Sequence, residues 1–512
     1  MRLLRCMVAV FLLTWLGSGC SPASDDPQRA STMTILSGGD GIDAMRLYNP
    51  KFLLWLPLVE RFGDEIRPRL AKSWEHSVDY RTWTFHLRDD VRWHDGVPVS
   101  AHDVAFSVEL FAHPDVLFGT RAWALASTSV PDDHTITMDF TRPVDPRSGW
   151  LIFFPKHLLA HLDPADFYEW DFWTEPVGNG PYRFVRLVPK TVLELEANPD
   201  FYAGESQIKR VVVKFGALNP VIELTSGGAD VSSLLLTTDL VKLKADPEYV
   251  IYYAYDWSML HIIYWNQRHP FLADMTVRRA LSHAIDRREL ARMLMLPDEM
   301  PLIGGLSDWT LADQPYTHAG WDQGPAFEPD TANRLLDEAG WIDADGNGIR
   351  ERAGLEARFI LMAPTGGGFL GEAPALLIQH HLQSVGVATE ILPMQQSLVR
   401  AAIRSGDFDA ALAWEDQEPD DILGAWFGDP SPLAYDAPEF VQLLEALRAE
   451  PDSEARNRLY ARTNEILRRD MPVTFLFPSA ENFVAHRRIR GFRPDASAFL
   501  SHSDELWIEE GL

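Results

Sequence analysis

From residue 357 to residue 414 the sequence switches repeatedly between a strand period and a helix period. Arg358–Met362 reads as a strand, Glu372–Val385 as a helix closed by Gly386, and Val387–Leu392 as a second strand. Ser397–Arg404 is then helical, and Phe408–Trp414 is a third strand. Strand–helix–strand spacing of this kind implies a parallel sheet with right-handed crossovers. The chain is therefore expected to be α/β. Its 512 residues exceed one ordinary core, and at about 150 residues per unit they suggest roughly three compact units.

Upstream the reading is α+β. Trp83, Phe85 and Leu87 alternate with Thr82, Thr84, His86 and Arg88, the period of a half-buried strand. Val91 and Trp93 continue in a second short strand, and Asp95-Gly96 supplies the residues of a tight turn. Ser100-Ala-His-Asp103 is a capping box opening a helix with Val104, Val108 and Phe111 on one face. Gly178-Asn-Gly-Pro-Tyr182 is a turn cluster. Strands follow through Phe184–Val188 and Val192–Leu195, and Val211–Val213 reads as a strand buried on both faces. Near residue 270 helices take over: Asp274 caps one, and Asp286-Arg-Arg-Glu289 is a second capping box. Residues 297–329 read as an extended excursion, after which Asp330 caps Thr331–Ala339 and Gly340 stops it.

Charge narrows the function classes. Lys and Arg number 46 against 74 Asp and Glu, a net charge of −28. Nucleic-acid binding needs clustered Lys and Arg, so no nucleic-acid partner is expected. The 17 tryptophans suit cores and ligand-stacking surfaces equally. Both cysteines, Cys6 and Cys20, stand in the first twenty residues. Arg2 and Arg5 precede a ten-residue apolar run, Met7–Leu16, which is too short to span a bilayer and reads as a secretion signal. Gly17-Ser-Gly19 before Cys20 looks like a bacterial lipoprotein box. Residues 1–19 are then a signal peptide and 20–30 a lipid-anchored tether, with no intramolecular disulfide available.

Two motifs invite chemistry. Gly366-Gly-Gly368-Phe-Leu-Gly371 matches G-x-G-x-x-G between a strand and a helix, with Glu390 nineteen residues on. That is the pattern of a dinucleotide fingerprint, and a nucleotide-dependent enzyme using Gly366–Gly371 is the rival reading; a flexible loop at a sheet edge is the plainer one. Asp343-Ala-Asp345-Gly-Asn347-Gly348 opens like a calcium loop, but Gly354 stands where a bidentate Glu belongs, so it reads as a polar turn. The 16 histidines show no metal-ligand spacing, and His380-His381 diverge on a helix. No nucleophile motif appears, and neither a metal nor a cofactor is expected.

The blocks together resemble the family 5 extracellular solute-binding proteins of bacterial ABC importers, the peptide- and nickel-binding group. Arg67-Pro-Arg-Leu-Ala-Lys-Ser-Trp74, Trp83-Thr-Phe-His-Leu-Arg88, Trp93-His-Asp-Gly96 and Ser100-Ala-His-Asp-Val104 carry the resemblance. Gly178-Asn-Gly-Pro-Tyr182, Val277-Arg-Arg-Ala-Leu281 with Ala284-Ile-Asp-Arg287, and Ala332 to Trp341 extend it. It implies a type II periplasmic-binding-protein-like fold of two α/β lobes. Lobe I would be discontinuous, residues 31–266 with 478–512, and would bear an extra α+β subdomain at about 55–175; lobe II would be 267–477. It also implies capture of a small peptide by lobe closure, delivery to ABC permease transmembrane subunits, a monomer, and a periplasmic or outer-surface location on a lipid anchor at Cys20. An oligosaccharide, an opine or a metal chelate is the alternative ligand. A carboxylate after the strand at 408–414 holds the amino terminus in peptide-binding relatives, and here either Glu415 or Asp416 stands in that place, beside Trp414. Gln395 stands where relatives often place an aromatic. With Trp257 these complete the candidate ligand-binding residues.

Overall fold

The computed structural model describes residues 29–37, 51–62, 65–113, 115–116, 125–141, 144, 146–147, 152–216, 219–233, 235, 237–297, 302, 304–305, 324–365, 371–416, 426, 431–450, 452–494, 500 and 502–509. The apolar run, Cys20, residues 21–28 of the tether and Gly366–Leu370 lie outside them. No helix among the described residues is long and apolar enough to cross a membrane.

Strand β1 (Thr32–Ser37) enters first. Strands β2 (Ala71–His76) and β3 (Thr82–Leu87) pair as a hairpin, followed by helix α1 (Ala101–Phe111) and strands β4 (Leu125–Asp132) and β5 (Thr135–Phe140). The alternation read in the sequence is real: Trp83, Phe85 and Leu87 are each fully buried. The capping box forms, with Ser100 N–H donating to Asp103 Oδ2 at 2.8 Å. The short strand expected at Val91–Trp93 reduces to one bridge between Arg92 and Pro98, because the Asp95-Gly96 turn follows within a few residues. Gly96 takes φ +92°, a conformation glycine adopts without steric cost.

Strands β6 (Tyr182–Val188), β7 (Val192–Ala197) and β8 (Arg210–Phe215) form a meander. The Val211–Val213 run departs from the expectation. Val211 and Val213 are fully buried but Val212 is only half-buried, so one face of β8 stays partly open. The turn before β6 is built on close approach. Asn179 and Gly180 N–H both donate to Leu54 O, and a Cβ on Gly178 would lie 2.0 Å from that same oxygen. His94 brackets the turn: its Nδ1 accepts from Gly178 N–H at 3.2 Å while its Nε2 lies 3.1 Å from Gly180 O.

After β9 (Val231–Ser232) comes the longest strand, β10 (Tyr249–Trp265). Helices α2 (Met275–Ala284), α3 (Arg287–Met293) and α4 (Pro329–Glu338) follow. Asp274 caps α2 as expected. The box at 286–289 is only half made. Asp286 accepts from Glu289 N–H, but the Glu289 carboxylate turns to His381, 2.8 Å away. Helix α4 starts at Pro329 rather than after Asp330; Glu328 is its N-cap residue, and Asp330 adds negative charge to the first turn instead.

The alternating unit appears in the order read, with bounds shifted by up to three residues: β11 (Arg358–Thr365), α5 (Glu372–Ser384), β12 (Ala388–Gln395), α6 (Gln396–Ser405) and β13 (Ala410–Asp416). Helices α7 (Pro438–Ala449) and α8 (Ser453–Asp470) lead to the long strand β14 (Val473–His486). One ten-stranded sheet runs through the molecule in the order β12-β11-β13-β10-β14-β9-β1-β8-β7-β6, and β2-β3-β5-β4 form a separate four-stranded sheet.

The apolar cores follow that sheet. One gathers residues between Met33 and Phe215 with Ala254, Phe483 and Ala485. A second packs Ile263, Trp265 and Phe477 under α2, α4 and α5, and a third packs Ile262, Tyr264 and Phe475 under α6 and α7. Trp55, Trp83, Trp93, Trp173, Trp265, Trp341 and Trp426 are fully buried, so much of the tryptophan serves packing. Trp55 meets Phe154 and Trp173 edge-on, at centroid distances of 5.7 and 6.4 Å. Such pairs add about 0.5–1.5 kcal/mol beyond their buried area.

Candidate ligand cleft at the carboxyl ends of the parallel strands

Strand β11 lies between β12 and β13, parallel to both. The chain leaves β11 through α5 to reach β12 on one side, then returns through α6 to β13 on the other. Loops leaving the carboxyl ends in opposite directions open a crevice there, the usual place for a ligand in an open α/β sheet. Thr365 pairs with Gln395, and Met362 pairs with Ala411. Carried forward, that register sets Trp414 level with Thr365. Gln395 and Trp414 thus stand at one level on strands two spacings apart, about 10 Å.

Four of the five expected ligand residues fall on this edge. Gln395 is exposed and is the N-cap residue of α6. Trp414 is half-buried, and Glu415 and Asp416 end β13, paired with Leu260 and Met259 of β10. Trp257 is set further along. It lies on β10 two residues beyond Met259, inside the stretch where the β10–β14 register slips between Asp256 and Leu260.

Three more residues belong to the same edge. Gln396 opens α6, and both polar atoms of its amide are buried without a hydrogen-bond partner. Arg400, one turn later, lays its guanidinium 5.5 Å from the Trp414 ring centre. His261 sits directly opposite Trp414 on β10, almost fully buried, with its ring 5.3 Å from that of Phe477. Burial pushes its pKa down to about 3, so the imidazole is neutral. The four-residue spacing of Gln396 and Arg400 was visible in the sequence. What joins them to Trp414 is the docking of α6, which buries Val399 and Ile403 against the sheet.

The remaining motifs resolve differently. Gly371 is the N-cap residue of α5, while the rest of the glycine motif lies outside the described residues. Glu390 is exposed and opposite Ile360, five residues short of the end of β12. A ribose-binding acid belongs at the carboxyl edge, and five residues of strand place Glu390 about 17 Å from it. In the 343–351 turn, Asp343 accepts from Gly346 and Gly348 N–H at 2.8 and 3.0 Å, and Glu351 accepts from Ala344 N–H at 2.8 Å. The carboxylates of Asp343, Asp345 and Glu351 come within 4.8 Å of one another, the one such cluster among the described residues. Both aspartates are exposed and Asp343 and Glu351 already accept backbone N–H groups, the arrangement of a polar turn.

Comparison with known proteins agrees with this architecture. A protein of Brucella ovis named for ABC-transporter peptide binding is 28% identical over 286 residues, 54% of this chain. The chain spans about half the length of that relative, 53%. The oligopeptide-binding protein AppA of Bacillus subtilis is 23% identical over 98% of this chain and 97% of its own. Its structure with a nonapeptide superimposes with a TM-score of 0.66, covering 94% of this chain and 99% of that one at 19% identity. NikZ of Campylobacter jejuni, solved with Ni(L-His), gives 0.69 at 22% identity, covering 93% and 99%. The profile of the bacterial extracellular solute-binding proteins, family 5, middle region, matches residues 65–431. With well over half of its length inside that match, the chain belongs to the family 5 bacterial extracellular solute-binding proteins.

Proposed function

We propose that the chain is the extracytoplasmic receptor of an ABC importer, capturing a small peptide and delivering it to the permease without chemistry of its own. The reading is carried by the convergence of Gln395, Trp414, Glu415 and Asp416 on the carboxyl edge of β11–β13. A peptide's ammonium entering a water-poor cleft needs an anion, because an unpaired buried charge costs several kcal/mol. Glu415 or Asp416 supplies it, Trp414 packs against the ligand, and Gln395 and Trp257 line the approach.

Lobe I comprises residues 31–266 and 478–512, and lobe II residues 267–477. The lobes close over the ligand by bending at β10 and β14. Support comes from the cores: Ala254 and Phe483 pack with the first half of the chain, Ile263 and Phe477 with the second. Cys20 holds the mature monomer to the membrane by a lipid, and the protein works in the periplasm or on the outer cell surface. Palmitate labelling of the precursor is then lost in Cys20→Ala. The ligand is tested by gentle purification and mass spectrometry of what the protein retains, followed by calorimetry. A retained peptide that rebinds supports the receptor reading. A retained sugar or metal chelate keeps the receptor and overturns the peptide.

A further inference from the structure

Helix α3 ends on a residue that resists its own backbone. Leu296 N–H donates to Ala291 O at 2.9 Å and Met295 N–H to Arg292 O at 3.0 Å, the two bonds of a Schellman end. Met295 is the left-handed residue such an end requires, at φ +60°, where glycine is usual and a side chain costs free energy. A residue held there against its preference marks a place where the side chain is needed. Its neighbours Leu294 and Leu296 enter the core beneath α2, α4 and α5, with Ile263 and Trp265. Met295 packs instead against a separate small core that includes Leu36, Leu224, Leu240 and Val484. Among the described residues it is the one member of 267–477 that does so. Tyr253 of β10 crosses the other way. Ile251 and Tyr249, just before it, pack on the small core, but the Tyr253 ring packs on the core of Ile263 and Trp265. Its Oη donates to Met295 O at 2.8 Å, so a hydrogen bond joins the two crossing residues.

We infer that Tyr253 and Met295 form a clasp between the two lobes, which holds one lobe arrangement and so sets how readily the cleft opens and closes. The inference rests on the lobe division proposed above, under which the core of Leu36 and Val484 belongs to lobe I and helix α3 to lobe II. Strands β10 and β14 join the lobes through the backbone, whereas this pair joins them through side chains and can come apart without breaking a strand. A contact made in one arrangement and lost in another shifts their populations by its own free energy. The affinity for every ligand shifts by the same factor, because the clasp touches the equilibrium between lobes and not the ligand.

Cys6 and Cys20 are the only cysteines of the chain. With both replaced by alanine, spin labels at the exposed positions Val78→Cys and Leu376→Cys report the distance between the lobes. Pulsed electron resonance then compares this parent with Met295→Gly, Met295→Leu and Tyr253→Phe. Met295→Gly and Tyr253→Phe are expected to raise the population of the minor distance about fivefold, the scale of a half-buried side chain or one hydrogen bond. Met295→Leu, which fills the same socket, should stay near the parent. Glycine suits the helix end better than methionine, so loosening in Met295→Gly cannot come from a damaged cap. Parent-like distances in both Met295→Gly and Tyr253→Phe overturn the clasp, and the closing lobes stand if Ala-Ala-Ala still shifts the parent's distance. One fixed distance in every protein, with and without Ala-Ala-Ala, removes the moving lobes and the clasp together.

Discussion

Arg488 grips Asp230 with two hydrogen bonds of 2.7 Å across 258 residues of chain, and both side chains are buried. The same guanidinium donates to Arg29 O and Thr32 O at 2.8 Å, and Asp230 accepts from Thr34 N–H at 2.8 Å. One ion pair thus ties β1, β9 and the end of β14 into the middle of the large sheet.

Breaking this pair from one side is expected to be severe. Asp230→Asn or Arg488→Met leaves a buried charge uncompensated, which costs about 3–5 kcal/mol. Denaturant unfolding should show the midpoint falling with little change in slope. A loss below about 1 kcal/mol would mean that water replaces the missing partner.

Gly178→Ala is predicted to destabilise by about 1–3 kcal/mol, the range of overpacking in a tight site. The new methyl would have to displace the Leu54 carbonyl, which already accepts from Asn179 and Gly180 N–H. Thermal melts of Gly178→Ala beside Gly96→Ala separate two causes. At Gly96 nothing lies within 4 Å, so only its φ of +92° resists the change.

Three histidines set the acid limit of stability. Burial pushes His94 down to about 4, His261 to about 3 and His502 to about 4, from 6.5. In the unfolded chain each ring takes up a proton below about pH 6.5, whereas the folded ring does not. Stability from these groups is therefore complete above pH 6.5 and is lost as pH falls towards 4. At pH 5 the loss is roughly 2 kcal/mol per histidine. Melting temperatures at pH 7.5 and 5.0 check the slope, and His261→Gln, which cannot titrate, should reduce it.

At the cleft, Glu415→Gln and Asp416→Asn distinguish the two candidate partners of a peptide ammonium. The true partner's substitution should cost about 2–5 kcal/mol of affinity for the retained ligand. The melting temperature of the empty protein should hardly move. Parent-like binding by both single variants and by the double variant would remove this assignment.

The parallel unit at 357–416 was legible because each of its elements declares itself locally. Strand period, helix face and stop glycine all lie within a dozen residues, and Gly386 takes the positive φ its place implied. Strands β10 and β14 were not legible. Their ladder pairs Tyr249 with His486 and Tyr264 with Val473, and no short window carries such distant pairing. The site divides in the same way. Trp414, Glu415, Asp416 and Gln395 came from a resemblance between ordered blocks. Arg400 and His261 gain meaning only once α6 and β10 are docked beside Trp414.

The way β10 and β14 cross the middle of the sheet has a mechanical consequence. Strand β13 pairs only with Met259–Trp265 of β10, and β9 only with Val484 and Ala485 of β14. Between those contacts the described sheet narrows to a two-stranded ribbon. Pro478, opposite Leu260 where the contact with β13 begins, removes one backbone donor beside the narrow point. A ribbon of this kind resists stretching through its covalent backbone but yields readily to torque, since two-stranded sheets carry the largest twist. Relative movement of the two ends of the sheet is thereby channelled into a swivel about the ribbon axis rather than a slide, and a swivel changes the aim of Trp414 and Arg400 without severing a strand.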